Sequence, residues 1–253
     1  MRFFAIIYLI IAGHSACCQI NVQQKEKRSR DQKERKQVVK RPNTFLNAVK
    51  IPGALIGMGV YSCLSDDVIS RYEVREERNE HLPNFHTSVD NYLMHAPVAI
   101  VYGLNIAGIK GKNDFKNRTL LLVKSEAIML VLTYSLKGLT NVPRPDASDV
   151  ESFPSGHTAQ AFATATFMAK EYGDQSIWYT VGAYGIATTV GAMRILNNRH
   201  WVSDVFAGAG IGILSTNLAY LTHRYRWKKK PSQLTIIPSY ASGPSLYLSY
   251  TFK

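Results

Sequence analysis

Beyond residue 44 the chain alternates apolar runs with short polar segments. The apolar runs lie near 45–64, 92–109, 120–136, 158–172, 177–193 and 204–222. Most are 15 to 19 residues long, at or just below the length a helix needs to cross hydrocarbon. They are rich in Gly, Ala and Tyr, and in "VFAGAGIGILSTNLAYL" Gly208 and Gly212 stand four apart. That spacing makes a small-residue face that lets helices approach closely. The pattern predicts an all-α, membrane-associated bundle of six helices. Polar residues weaken clean spans: Lys124 and Glu126 fall in the first turns of the third run, and Pro97 sits early in the second. The 45–64 run is the weakest, so a soluble or half-embedded bundle is the competing arrangement. At the end of the chain the period changes. Leu246, Leu248, Tyr250 and Phe252 alternate with Ser245, Tyr247, Ser249 and Thr251 after an "ASGP" turn, which predicts a short C-terminal β-hairpin serving as a packing flap.

Charge adds direction to this picture. The net charge is +12, which favours anionic partners. Residues 25–41 hold nine Lys or Arg against three acids, and "HRYRWKKK" follows the last run. Such runs are solvated tails or basic collars beside a membrane. Counting Lys and Arg puts 110–118 and 223–230 inside, and therefore 137–157 and 194–203 outside. The opening "MRFFAIIYLIIAGHSACCQ" reads as a secretory signal peptide, too short in its apolar part to span. A cleaved leader leaves the 25–41 segment outside, whereas six spans want it inside. Either the leader stays, or 45–64 lies along the surface. The expected organisation is a leader at 1–18, a basic linker at 19–44, a helical domain at 45–223, and a basic segment with hairpin at 224–253. With Cys63 as the one cysteine in the body, a disulfide framework or a cysteine metal site there is excluded.

Three clusters carry candidate chemistry, all on the predicted outer side. In "KGLTNVPRP", Lys137 precedes Arg144, which is held between Pro143 and Pro145. A residue before proline is pushed out of the α region, so Arg144 sits on stiff, extended backbone. Two fixed cations near a helix end make an anion clamp. In "PSGH", Ser155 caps the helix that follows, Gly156 clears a side chain from the backbone, and the free N–H groups with the dipole favour an anion. His157, one residue inside, is placed to share a proton with whatever binds. In "RILNNRHWVSD", Arg194 is a third cation, and His200 and Asp204 are four apart. On a helix that spacing sets the carboxylate one turn from the imidazole. An aspartate on one ring nitrogen fixes the tautomer and leaves the other nucleophilic. There is no metal-ligand cluster and no glycine loop for a nucleotide. The set suits an isolated phosphate and phosphoryl transfer without metal or other cofactor.

These three segments, in order and at matching spacing, resemble the signature of the type 2 phosphatidic acid phosphatase superfamily, which includes lipid phosphate phosphatases, bacterial acid phosphatases and vanadium haloperoxidases. The likeness covers 137–204 directly and 92–222 by pattern. It implies a helical bundle of the lipid phosphate phosphatase type. It also implies that His200 attacks phosphorus to form a phosphohistidine, that Asp204 orients it, and that His157 protonates the leaving oxygen and then activates water. Lys137, Arg144, Arg194, Ser155 and the Gly156 N–H would hold the phosphate oxygens. Met193 stands where the family usually has Ser, removing one hydrogen bond to phosphate. The implied substrate is a lipid phosphate monoester or pyrophosphate: a lipid A phosphate, undecaprenyl pyrophosphate or phosphatidic acid. The expected setting is a bacterial inner membrane with the site facing the periplasm, and neither nucleic acid nor an obligate protein partner. A soluble periplasmic acid phosphatase is the alternative. The eight residues between Pro145 and Pro154 leave little room for a haloperoxidase elaboration.

Overall fold

The computed structural model describes residues 44–65 and 70–224, and the backbone of 234–239 and 245–250. The leader, the linker up to residue 43, Cys17, Cys18 and the basic run 225–230 lie outside the described residues. The chain divides into two compact units, Met1–Asn47 and Ala48–Lys253. Of the first, only the opening turn of one helix is described.

Each predicted apolar run is a helix: α1 (Thr44–Leu64), α4 (Ala96–Ile106), α5 (Phe115–Thr140), α6 (Gly156–Tyr172), α7 (Ile177–Leu196) and α8 (Val202–Leu221). Two further helices, α2 (Arg71–His81) and α3 (Asp90–Leu93), fall in what reads as a polar loop. No residue of α2 is buried. Its existence rests on the Ser70 cap, whose Oγ accepts from the Glu73 N–H at 3.2 Å, and on docking by Arg78, whose Nε donates to the Leu196 carbonyl at 2.8 Å.

The polar interruptions do not break the bundle. Pro97 is the second residue of α4, where its missing N–H costs nothing. Lys124 and Glu126 lie inside an unbroken α5, where Glu126 accepts from Gln160 on α6 at 2.8 Å. α5 also outruns its apolar stretch. The Asp114 carboxylate caps its start, and Asn141 ends it in the left-handed region at φ 46°.

α6 is the centre of the bundle, packed on α8, α7, α5 and α4. Val101, Leu121, Ala161, Ala165, Phe167, Met168, Ala183, Ala187 and Val190 form its core. The α6–α8 contact depends on small residues. A Cβ at Gly208 would stand 2.6 Å from the Ser155 carbonyl, and one at Gly212 would strike the Ala159 carbonyl. The small-residue face read from the sequence is therefore the seam that seats the start of α6.

At the far end of the bundle lies a buried ion pair the sequence does not announce. Arg118 Nε meets Glu171 Oε2 at 3.1 Å, with both side chains almost fully buried. Asn113 and Tyr220 also donate to Glu171. Lys112 pairs with Asp174 at 2.8 Å at this same end, so the basic 110–118 segment sits opposite the predicted chemistry.

α5 and α8 are long and apolar enough to cross a membrane. Val123, Leu130, Val131 and Tyr134 on α5, and Ile177, Trp178 and Val181 on α7, face outward. The tail forms the expected antiparallel hairpin, β1 (Leu234–Ser239) with β2 (Ser245–Tyr250), in register from Leu234–Tyr250 to Ser239–Ser245.

Candidate active site

The site is assembled where α5 ends, α6 and α8 begin, and α7 ends. His200 is buried in the turn between α7 and α8. It precedes α8 rather than lying on it, which corrects the helical spacing expected from the sequence. The pair is closed instead by the helix N-terminus. Trp201 is the N-cap, and Asp204, at the third helical position, reaches back to accept its N–H at 2.9 Å. The same Oδ2 lies 3.3 Å from His200 Nδ1 and accepts from Ser152 Oγ at 2.5 Å. Asp204 and Ser152 are fully buried. A carboxylate so fixed holds the Nδ1 proton and directs the Nε2 lone pair outward. Burial pushes the His200 pKa down, while Asp204 opposes that shift. Burial thus favours the neutral ring, the form a nucleophile needs.

Ser155 caps α6. Its Oγ accepts from the Thr158 N–H at 3.4 Å and its own N–H donates to the Asp204 carbonyl at 3.0 Å, tying the two helix starts together. The Phe153–Pro154 peptide is cis. A Cβ at Gly156 would meet nothing closer than Thr133 Cγ2 at 4.0 Å, so the space beside that backbone is open. His157, at the mouth of α6 ahead of the apolar 158–172 stretch, has Nε2 2.8 Å from Asn91 Oδ1. Burial, then Arg194, lowers its pKa to about 4. His200 and Arg144 add to that lowering, so Arg194, His200 and Arg144 all lie within electrostatic reach of His157.

Each predicted clamp cation has an internal partner. Lys137 Nζ donates to the Glu151 carbonyl. Arg144 Nη2 meets Asp149 at 3.1 Å, and its backbone N–H donates to the Asp149 carbonyl. Arg194 Nη1 meets Asp90 at 2.6 Å. The Nε atoms of Arg144 and Arg194 are buried without a hydrogen-bond partner. Orphaned buried donors of this kind, on two guanidinium groups beside one histidine, call for an acceptor. The structure thus brings Lys137, Arg144, Ser155, Gly156, His157, Arg194, His200 and Asp204 to one end of the bundle.

Ser152, Asp90 and Asn91 are additions that sequence reasoning missed. Asp90 and Asn91 belong to α3, which carries no apolar period to mark it. Ser152 precedes the "PSGH" segment by two residues, with nothing local to distinguish it from a loop serine.

Residues 118–228 match the PAP2 superfamily. Over 154 residues the chain is 39% identical to the lipid A 1-phosphatase of Porphyromonas gingivalis, a match covering 58% of this chain and 33% of that protein. The chain thus spans about a third of the length of that relative. Two crystal structures are similar. One is the first transmembrane PAP2 type phosphatidylglycerolphosphate phosphatase from Bacillus subtilis, at a TM-score of 0.51 and 21% identity, covering 70% of this chain and 99% of that one. The other is Aquifex aeolicus LpxE, at a TM-score of 0.44 and 25% identity, covering 58% of this chain and 93% of that one.

Proposed function

From a chain that carries a PAP2 superfamily domain across residues 118–228, we propose a membrane-embedded lipid phosphate phosphatase that works through a phosphohistidine. The observation that carries this reading is the buried Ser152–Asp204–His200 chain of contacts set beside orphaned guanidinium donors. His200 Nε2 attacks phosphorus. Asp204 keeps the proton on Nδ1 and stabilises the imidazolium that forms. The bond to the lipid oxygen breaks, and that oxygen takes a proton from His157. His157 then withdraws a proton from water, which attacks the phosphohistidine and releases inorganic phosphate.

Lys137, Arg144, Arg194 and the Gly156 N–H hold the equatorial oxygens. Asp90 and Asp149 hold the two guanidinium groups in place while their remaining donors face the phosphate. Neutral His157 must gain its proton as the phosphate dianion arrives, because burial and then Arg194 oppose protonation and the anion's charge offsets them. The Ser155 hydroxyl is engaged as a helix cap, so its role is to position the Gly156 N–H.

Outward-facing apolar side chains on α5 and α7 suit a bundle in hydrocarbon. The basic 110–118 segment lies at the end away from the site, which by the excess of Lys and Arg is the cytoplasmic end. The site then faces the periplasm. The likeness to a lipid A 1-phosphatase makes a phosphorylated lipid of the lipid A class the first substrate to try.

The test is phosphate release from purified protein against a panel of lipid and soluble phosphate esters, with EDTA present. Lipid phosphates should be hydrolysed, soluble esters poorly, and His200→Ala should abolish release. Survival of activity in that variant refutes the site, and strong EDTA inhibition refutes metal-free transfer.

A further inference from the structure

The two histidines of the site are held by unlike partners. His200 faces the buried Asp204 carboxylate through Nδ1. His157 has Nε2 2.8 Å from Asn91 Oδ1, a neutral group. A carboxamide oxygen can only accept, so Nε2 carries the ring proton and Nδ1 the lone pair. Nδ1 makes no hydrogen bond among the described residues.

The Asn91 side chain is exposed, yet the backbone around it is pinned. Asp90 is buried against Arg194 of α7. Thr87 and Asn197 exchange two hydrogen bonds, of 2.8 and 2.9 Å, which fasten the approach to α3 to the end of α7. The Met94 carbonyl accepts from Thr164 Oγ1 on α6 at 2.9 Å. The bracing therefore fixes a carboxamide that does none of the packing itself. Charges converge on His157 as well. Arg194 from α7, His200 from the turn before α8 and Arg144 from the loop after α5 oppose a proton on the ring, and Asp90 from α3 favours one. The Asp90 carboxylate is engaged by Arg194, so the group that touches the ring is the uncharged one.

A carboxylate on a ring N–H stabilises the imidazolium, whereas a carboxamide orients the ring and adds no charge. That difference suits two tasks. His200 must bear positive charge once it holds phosphorus, and His157 must give up and regain a proton in every turnover. We propose that Asn91 is the positioning residue of His157, holding it by Nε2–H so that Nδ1 is the nitrogen that exchanges protons with substrate and water. This rests on the phosphatase reading of His200. In the first step doubly protonated His157 gives its Nδ1 proton to the lipid oxygen, as the P–O bond breaks and phosphorus bonds to His200 Nε2. In the second, Nδ1 takes a proton from water, as the water oxygen bonds to phosphorus and the P–N bond breaks. The Nε2 proton stays on Asn91 throughout, and the sum is lipid phosphate plus water giving lipid alcohol plus phosphate.

The experiment records pH–rate profiles of wild type, Asn91→Asp, Asn91→Ala and His200→Ala on dioctanoyl phosphatidic acid in detergent, with the phosphoenzyme trapped by alkaline quench. Asn91→Asp sets a carboxylate on Nε2–H with little change of shape. The imidazolium should then persist to higher pH, moving the basic limb of kcat/KM up by about one to three units. Water activation needs the neutral ring, so kcat at neutral pH should fall and phosphohistidine should accumulate. Asn91→Ala should lower kcat about 10–100-fold with KM little changed, part of what acid–base catalysis contributes. Both variants should melt like wild type, since the side chain is exposed. A further readout needs no substrate. In protein labelled with nitrogen-15 histidine, the His157 ring, assigned by its loss in His157→Gln, should be protonated on Nε2 at neutral pH. A ring protonated on Nδ1, or an Asn91→Asp profile superimposable on that of wild type, overturns the positioning role and leaves the phosphatase standing. Loss of activity only in step with melting temperature, with the profile unshifted, overturns it too. Activity retained in His200→Ala, or a wild type inert on this lipid, overturns the phosphatase reading and the positioning role with it.

Discussion

A histidine beside a buried carboxylate acts according to which nitrogen is held, and here the holding is overdetermined. Asp204 Oδ2 receives the Ser152 hydroxyl and the Trp201 N–H as well as facing His200 Nδ1. Asp204→Asn would keep the shape but present an N–H or a weaker acceptor to Nδ1. It should lower kcat far more than KM, by roughly 10²–10⁴. Ser152→Ala should fall between that and wild type, because the Trp201 N–H remains. An Asp204→Asn enzyme within fivefold of wild type would remove the proposed orientation.

His157 supports a pH argument. Its folded pKa is about 4, below the ordinary 6.5, so between those values the unfolded chain binds a proton that the native protein refuses. Stability from this group is therefore complete above pH 6.5 and is lost as pH falls toward 4. His157→Gln should flatten the acid side of a melting-temperature profile over that window, and an unaltered profile would contradict the burial argument. The candidate positions 137, 144, 157, 194, 200 and 204, which the structure gathers at one end of the bundle, were legible because titratable side chains cluster beside helix ends. Ser152, Asp90 and Asn91 were not legible, since a serine or carboxamide in a loop gains meaning only from what it touches across the fold.

At the scale of elements, hydrophobic runs locate six helices because burial against neighbours, not propensity, decides where they lie. α2 escaped because none of its residues is buried and it is held by a cap, by Arg78, and by Arg71, Tyr72 and Arg75 against Trp201 rather than by an apolar face. The ends of α5 escaped because its first turns are polar yet buried, with Arg118 paired to Glu171. Removing one partner of that pair strands a charge. Glu171→Gln should cost about 3–5 kcal/mol of stability. Since this pair lies at the end away from His200, any enzyme that remains folded should keep its kcat. A loss of kcat at unchanged melting temperature would instead couple the two ends.

The α6–α8 seam behaves in the opposite way. Gly208→Val pushes a side chain against the carbonyl of Ser155, the N-cap of α6 that accepts from the Ala159 N–H. Overpacking of this kind costs about 1–3 kcal/mol. Here it should also lower kcat, because Ser155 and Gly156 must move. Thermal melts and kcat measured on the same preparation separate the two effects.

For the molecule as a whole, polarity from end to end is the feature that bears on function. Arg118, Glu171, Lys112 and Asp174 gather at one end, and the reactive side chains gather at the other. In the proposed orientation, the excess of Lys and Arg in 110–118 would put the first end in the cytoplasm and the site on the opposite face. Single cysteines introduced at Ser148 and at Asn113, in a background with Cys17, Cys18 and Cys63 replaced by Ser, test this directly. In intact spheroplasts a membrane-impermeant maleimide should label position 148 at once and position 113 only after lysis. The reverse pattern would turn the enzyme over. Equal labelling before lysis, together with release by carbonate, would place the whole bundle in the periplasm as a soluble phosphatase. That arrangement would leave Val123, Val131 and Trp178 facing water, at odds with the scarcity of large exposed apolar patches on soluble proteins.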